Sequence, residues 1–360
     1  MNNIYLSIPG KTAGSDNLTI ATVIETHGST PQKHGRSALF GPSGLVAGTI
    51  GGGVLEGRVQ LIAKESSKTK ESGIYHFDLD HDISFRQDAI CGGEATILLD
   101  ASPEDHNAIF EQIKESLQNK IPGVLVTIVK EAGEEDVKIA RYWVTSLKGN
   151  ILPRQYSDLL STDLNKLLSS SDHDDFIKHE LATGVGEKSV WAFLEPLFPS
   201  FQLVIAGAGH IGKALAHLGK LLDFDVTVID DREEYANKSN IPDADYVVVN
   251  DIGKALRDLR KGPDMYIVIV TRGHDDDAKA LKPCINSQAA YLGMIGSKSK
   301  IAKMHSHFVQ NEWATEEQWS AIHAPIGLEI NSKTVEEIAI SIAAELVLER
   351  NKNKALGTRR

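Results

Sequence analysis

The segment from Gly207 to Gly212 constrains the fold more than any other part of the sequence. It reads Gly-Ala-Gly-His-Ile-Gly, follows an apolar run typical of a buried strand, and precedes a segment with helical spacing. In this context the first glycine allows a tight turn, the second lets an anion approach the backbone, and the third lets helix and strand pack closely. The pattern predicts a Rossmann-like unit in which Gly207, Gly209 and Gly212 bind an anionic group at the helix amino terminus.

Strands and helices alternate regularly after this turn. Apolar runs predict four further strands at 225–229, 246–249, 265–270 and 290–294, with helix-compatible segments between them. Such alternation indicates a parallel sheet that is covered by helices on both faces. Thr334 and Glu337 have the spacing of a capping box and predict the start of a last helix. We therefore expect a Rossmann-like, doubly wound domain at 200–350 and a tail at 351–360.

The first half of the chain mixes predicted strands and helices without this regular alternation. It predicts an amino-terminal mixed α+β domain over residues 1–190, so the fold class is α/β with two domains. From about residue 148 the composition becomes polar, with serines at 169–171 and Asp-rich sequence at 172–175. We expect a polar linker there.

Asp230 lies at the end of the second predicted strand of the Rossmann-like unit. A carboxylate at this position can accept a hydrogen bond from a ribose 2′-hydroxyl, which indicates an NAD(P) site. Arg232 is close by and leaves NAD and NADP both open. Two further readings remain: a nucleotide that serves only as a structural ligand, and a crevice that binds nothing similar to a nucleotide.

Two loops that follow the fourth and fifth strands carry further candidates. Arg272 could pair with a phosphate, and His274 could act as an acid, a base or a metal ligand. Gly296, Ser297 and Lys298 make a second candidate anion cradle. The alternatives are a capped helix with solvated aspartates at 275–277 and a surface turn at 296–298.

The first half contributes a triple-glycine turn and a cysteine. Gly51, Gly52 and Gly53 precede a helix with Glu56 one turn inside it, a shape that suits either an anion or a plain tight turn. Cys91 stands before Gly92 and Gly93, where a large ligand or a soft metal could reach the sulfur. The alternative for Cys91 is a small buried hydrophobe, which is also our prediction for Cys284.

Composition excludes several function classes. The 38 Lys and Arg against 49 Asp and Glu give a net charge of −11, so no cationic field attracts nucleic acid or an anionic membrane. Two cysteines cannot build a disulfide framework or a four-cysteine cluster. No segment suits a signal peptide or a membrane span. We expect a cytoplasmic protein without nucleic-acid or membrane partners.

Several of these motifs occur together in one order and resemble the XdhC/CoxI family. The resemblance covers most of the chain and rests on Gly28–Pro31, Gly48–Glu56, Cys91–Gly93, Gly207–Gly212 with Asp230–Arg232, Gly293–Ser297, and Pro325–Ile330 ahead of Glu336–Ala339. Members of this family are accessory factors that mature xanthine dehydrogenase and related molybdenum hydroxylases.

The resemblance implies a maturation chaperone of purine catabolism with no turnover of its own. Such a protein binds molybdenum cofactor (molybdopterin), supports its sulfuration and delivers it to a xanthine dehydrogenase-type apo-enzyme. It implies a homodimer, and a cysteine desulfurase as a conceivable second partner. Cys91 would contact the molybdenum or handle sulfur, the glycine turns would seat the pterin phosphate, and His274 and Lys298 would assist. The alternative from the residues alone is an NAD(P)-dependent oxidoreductase.

Overall fold

The computed structural model describes residues 3–9, 17–30, 32–79, 93–131, 137–145, 152–169, 175–181 and 189–355. The chain forms two compact units, Met1–Pro199 and Ser200–Arg360. Within the described ranges, no helix has both the length and the apolar composition needed to cross a bilayer.

The first unit contains an antiparallel five-stranded sheet in the order β3-β2-β1-β5-β4. Its strands are β1 (Thr19–Gly28), β2 (Ser37–Gly41), β3 (Gly44–Gly48), β4 (Gly73–Asp78) and β5 (Gly93–Asp100). Helix α1 (Gly53–Thr69) follows β3 and buries Leu55, Val59 and Ala63 against this sheet. Their spacing of four residues places them on one face of the helix, so the sheet and α1 share one apolar core.

A four-stranded antiparallel sheet completes the first unit, in the order β7-β6-β9-β8. Its elements are β6 (Gly123–Glu131), β7 (Val137–Thr145), β8 (Ile177–Leu181) and β9 (Val190–Leu197), with helices α2 (Asn107–Gln118) and α3 (Arg154–Ser169). Because β9 pairs with β6 along its whole length, the first unit continues to Pro199.

Helix α3 lies where the sequence predicted a polar linker. Its Leu160, Leu164 and Leu167 are buried in one core with β6 and β9. The polar residues between these leucines cover the solvent face of an amphipathic helix. The polar composition from residue 148 onward therefore marks the outer face of a packed element at 154–169, and the expectation of a linker is corrected there.

The second unit is the predicted Rossmann-like fold. Its parallel sheet has the order β12-β11-β10-β13-β14. The strands are β10 (Gln202–Ala206), β11 (Asp225–Asp230), β12 (Tyr246–Val249), β13 (Met265–Ile269) and β14 (Tyr291–Met294). The helices are α4 (His210–Leu221), α5 (Ile252–Asp258), α6 (His274–Leu281), α7 (Lys298–Gln310), α8 (Glu316–Ser320) and α9 (Val335–Ala355).

Helices cover both faces of this sheet, as the strand–helix alternation predicted. Helices α4 and α9 pack against one face of the sheet and share one apolar core with it. Helices α5, α6 and α7 pack against the other face and form a separate core. Thr334 and Glu337 form the predicted capping box: the Thr334 hydroxyl accepts from the Glu337 amide at 3.2 Å, and the Glu337 carboxylate accepts from the Thr334 amide at 3.0 Å. Strand order reverses between β10 and β13, which is where α/β sheets bind ligands.

Candidate functional site

The glycine turn between β10 and α4 has two glycines that packing requires and one that leaves room. A side chain at Gly212 would place its Cβ 1.9 Å from the Gly207 carbonyl oxygen, and one at Gly207 would place it 2.5 Å from the Val270 oxygen. Gly207 also has a positive φ of 121°. No atom lies within 4 Å of the Cβ position at Gly209. The turn therefore leaves open space at the amino terminus of α4.

The Asp230 carboxylate accepts hydrogen bonds from groups of the second unit. One oxygen accepts from the Arg232 amide and Nε at 3.0 and 2.8 Å, and the other accepts from the Ala208 amide and an Arg232 terminal nitrogen at 2.8 and 2.9 Å. Because a carboxylate offers about four acceptor positions, none is left for a ribose hydroxyl. Asp230 thus ties the loop after β11 to the glycine turn.

These bonds also set the charge of Asp230. Burial favours its neutral form, but the hydrogen bonds from Arg232 and Ala208 outweigh that effect and lower the pKa of the carboxyl to about 2. The Arg232 guanidinium lies over the Tyr235 ring at 4.0 Å. Arg232 is therefore held from both sides.

Arg272 reaches across the end of β10. Its guanidinium donates to Asp231, which follows β11, at 3.1 Å, and to Asp276 in α6 at 3.2 Å. Since β10 separates β11 from β13 in the sheet, the Arg272–Asp231 pair lies beyond the carboxyl end of β10, beside the glycine turn. The Arg272 side chain is 52% exposed, so it remains accessible to an anion from solvent.

Asp277 and Lys300 form a pair that the sequence analysis did not single out. Asp277 is fully buried and accepts from the Thr271 hydroxyl and the Lys300 ammonium. Burial raises the pKa of Asp277, against the opposing effect of these hydrogen bonds. The pair joins the first turns of α6 and α7, the helices that follow β13 and β14. Its signal in the sequence was weak, because 23 residues separate the two side chains.

The other predicted residues of this unit lie at the surface. His274 is exposed at the first residue of α6, and Gly273 is the N-cap of that helix. Ser297 caps α7, since its hydroxyl accepts from the Lys300 amide at 3.2 Å. Lys298 is exposed, 3.8 Å from Glu329. The structure therefore gives Ser297 a capping role, and a Cβ at the preceding Gly296 would contact Ile301 at 2.8 Å.

The triple-glycine turn of the first unit contains its own anion. All three glycines have positive φ, and Gly52 is the N-cap of α1. One oxygen of Glu56 accepts from the Thr49 hydroxyl at 2.7 Å and from the amides of Ile50 and Gly52 at 3.2 and 3.4 Å. The Gly51 amide donates to Thr49 at 3.1 Å. Gly51, Gly52 and Glu56 are thus bonded within the turn, and a bound phosphate would face the Glu56 charge.

Cys91 and Gly92 lie outside the described residues. Gly93 begins β5, where a Cβ would lie 2.5 Å from the His27 oxygen, so the backbone packing requires a glycine. Cys284 is buried in the core as predicted, and burial raises the pKa of its thiol to about 11. In the ranges that the structure describes, no three His, Cys, Asp or Glu side chains are placed to hold a metal ion.

A polar cluster inside the first unit also escaped the sequence analysis. Arg141 and Asp100 form a buried ion pair, and the Tyr5 hydroxyl donates to Glu195 at 2.6 Å. Burial raises the pKa of the Glu195 carboxyl to about 7, although Tyr5 and Arg141 act to lower it. These residues come from β5, β7, β9 and a short 3₁₀ turn, so no local pattern could have connected them.

Comparison with known proteins agrees with both units. A model of the XdhC Rossmann domain matches residues 203–346, and a model of the XdhC and CoxI family matches residues 13–78. A probable xanthine dehydrogenase component of Bacillus subtilis strain 168 is 22% identical over 354 residues, which is 98% of this chain and 99% of that protein. YqeB of Escherichia coli K12, an uncharacterized protein, is 32% identical over 167 residues, covering 46% of this chain and 30% of YqeB.

The fold also has a close match among solved structures. The crystal structure of a xanthine dehydrogenase from Bacillus halodurans superposes with a TM-score of 0.76 at 22% identity, covering 99% of this chain and 98% of that chain. This likeness concerns the fold alone. With the sequence models on the first and second units and the end-to-end similarity to the Bacillus subtilis protein, the chain belongs to the XdhC/CoxI family.

Proposed function

We propose that this protein is an accessory factor that binds molybdenum cofactor as cargo, supports its sulfuration and delivers it to a xanthine dehydrogenase-type apo-enzyme. Family membership and the names of the Bacillus proteins support the client class. The proposal includes a homodimer, a cysteine desulfurase as sulfur donor and a cytoplasmic location. The net charge of −11 fits a protein partner better than a nucleic acid.

One observation carries the proposal: the open space at Gly209 lies at the amino terminus of α4, on the same sheet edge as the exposed Arg272. A helix amino terminus attracts a phosphate. Arg272 uses Nε for Asp276 and one terminal nitrogen for Asp231, and a phosphate that exchanges with one of these exposed carboxylates would accept two parallel hydrogen bonds from the guanidinium. The phosphate end of the pterin fits this arrangement. His274, exposed at the start of α6, is a further donor to the same edge.

The molybdenum end of the cargo needs a soft ligand. Cys91 is the remaining candidate thiolate, since Cys284 is buried in the core and burial raises the pKa of its thiol. We therefore assign to Cys91 the contact with the molybdenum or with the transferred sulfur. The buried Asp277 of α6 pairs with the ammonium of Lys300 in α7 and so holds the first turns of these two helices together.

The Asp230 geometry argues against a catalytic NAD(P) site. A dinucleotide would need an acceptor for its ribose hydroxyls, and all four acceptor positions of Asp230 are taken. A phosphate bound at Gly209 makes no such demand. A phosphorylated pterin is therefore the better ligand for this crevice.

Gly209→Val tests the proposal. Gly209 has an ordinary φ of −72° and free space at its Cβ, so valine is compatible with the fold while it blocks the phosphate. The matched control is Gly57→Val in α1, where a Cβ also meets no atom within 4 Å. Protein from a molybdenum-replete host is analysed for molybdenum by plasma mass spectrometry and for pterin by fluorescence after oxidation.

We expect near-stoichiometric molybdenum and pterin in the wild type and in Gly57→Val, and loss of both in Gly209→Val. Equal contents in the two variants would contradict the assignment of the crevice. Absence of both from the wild type, with bound NAD(H) in native mass spectra, would contradict the proposed function. Cys91→Ala should keep the pterin phosphate site but fail to activate the apo-enzyme, and full activation by this variant would exclude the thiolate role.

A further inference from the structure

The outward face of α9 carries exposed apolar side chains. Ile340 is 51% exposed and Leu348 is 41% exposed, and Ala344 lies between them on the helix. The opposite face is buried, with Ile342 and Leu346 in the core of the second unit. A surface helix usually has one apolar face. Ile340 and Leu348 therefore lie outside the apolar face that α9 buries in its own unit.

These residues belong to a row with spacing four that is symmetric about its centre. The row reads Glu336, Ile340, Ala344, Leu348, Lys352. A small residue stands in the middle, an aliphatic residue lies four positions away on each side, and opposite charges stand at the two ends. Glu336 and Lys352 are both exposed. Rows with this spacing form the ridges along which helices pack against each other.

We propose that this row is the contact surface for a second copy of this chain, with the two α9 helices antiparallel about a two-fold axis at Ala344. Ile340 then contacts Leu348 of the second copy, and Glu336 pairs with Lys352 of the second copy. Ala344 allows the helices to approach closely at the axis. The surface specifies where the homodimer of the proposed function forms and so rests on that part of it.

Charge and symmetry favour a second copy of this chain as the partner of this row. A two-fold interface brings one patch against itself, so the patch must be self-complementary. Antiparallel packing places acid against base at both ends, whereas parallel packing would place Glu336 on Glu336 and Lys352 on Lys352. In the single chain Lys352 donates to Glu349 at 2.7 Å, an exposed contact within the helix that it can exchange at little cost.

The first experiment places a charge at the axis. Ala344→Glu brings two carboxylates together in the dimer, whereas in a monomer position 344 is partly exposed and the longer glutamate side chain can reach solvent. The control is Leu221→Glu, which replaces a 66% exposed leucine of α4. Light scattering after size exclusion, over a dilution series, should give twice the 39.2 kDa chain mass for the wild type and the control, and the chain mass for Ala344→Glu. Circular dichroism verifies that all variants are folded.

The second experiment exchanges the charges. Glu336→Lys and Lys352→Glu should each shift the dilution midpoint toward monomer, and the double variant should restore the wild-type midpoint because both ion pairs re-form with reversed sign. A dimer that persists in Ala344→Glu would overturn this surface but leave the homodimer standing. A wild type that is monomeric at every concentration would overturn both. Molybdenum content, measured on the same samples, reports separately on cargo binding.

Discussion

The glycine turns at Gly51–Gly53 and Gly207–Gly212 have similar sequence patterns but different chemical surroundings. Each follows a strand and opens a helix, and each was a candidate anion site. In the first unit the carboxylate of Glu56 accepts from the Thr49 hydroxyl and from the amides of Ile50 and Gly52 at the start of the turn. In the second unit Asp230 takes only the Ala208 amide, and Gly209 keeps open space. The difference shows that two glycine turns of similar sequence can leave different amounts of room for an external anion.

The largest effect should come from filling the tightest glycine of the second turn. Gly212→Ala would bring a Cβ to 1.9 Å from a backbone oxygen, so helix and strand must separate. We expect a loss of about 3–5 kcal/mol in the free energy of unfolding. Gly52→Ala meets no atom within 4 Å and should cost about 1–3 kcal/mol, from its φ of 68° alone. Urea denaturation of both variants measures the difference, and equal losses would break the comparison.

The second prediction removes the internal anion of the first turn. Glu56→Ala leaves three donors without their acceptor and should cost about 1–3 kcal/mol of unfolding free energy. The vacated turn should then bind inorganic phosphate, so added phosphate should raise the melting temperature of this variant more than that of the wild type. Glu65→Ala, in the same helix but paired with Lys68 at the surface, is the control.

A failure of phosphate to stabilise Glu56→Ala beyond the control would mean that the first turn cannot hold an external anion at all. The two turns would then differ in shape, and the carboxylate would not be the deciding feature.

The third prediction concerns the stability of the fold at acidic pH. The pKa of Asp230 is lowered to about 2 in the folded chain, below the ordinary 3.8, so the folded state binds fewer protons than the unfolded state between these values. Its contribution, about 2 kcal/mol, is present above pH 3.8 and is lost as the pH falls through 2. Asp230→Asn should therefore be less stable than wild type near neutral pH, and the gap should close in acid.

Urea titrations at several pH values between neutrality and about pH 2 measure this gap. Asp258→Asn, at an exposed position of α5, provides the reference. A gap that stays constant with pH would show that Asp230 acts through shape and not through its charge.

The sequence sufficed for the fold of the second unit but not for its site. The strand–helix rhythm and the spacing of Gly207, Gly209 and Gly212 predicted the parallel sheet and the turn, because these signals are local. Two features of the site depend on side-chain directions that only the packed sheet defines. Lys300 pairs with Asp277, and Arg232 occupies acceptor positions of Asp230. In the first unit, α3 was missed because its leucines are diluted among polar residues.

The smallest effect tests whether Arg232 decides what the crevice accepts. Arg232→Ala removes the two hydrogen bonds that the arginine side chain makes to Asp230 and frees acceptor positions that a ribose can use. We expect NAD to bind this variant about 10-fold more tightly than the wild type, the gain from one or two hydrogen bonds to a charged acceptor. Calorimetric titration measures the change, with Arg257→Ala, exposed on α5, as the control. If NAD binds the wild type and Arg232→Ala with equal affinity, then the hydrogen bonds from Arg232 to Asp230 do not determine whether a ribose binds at the second turn.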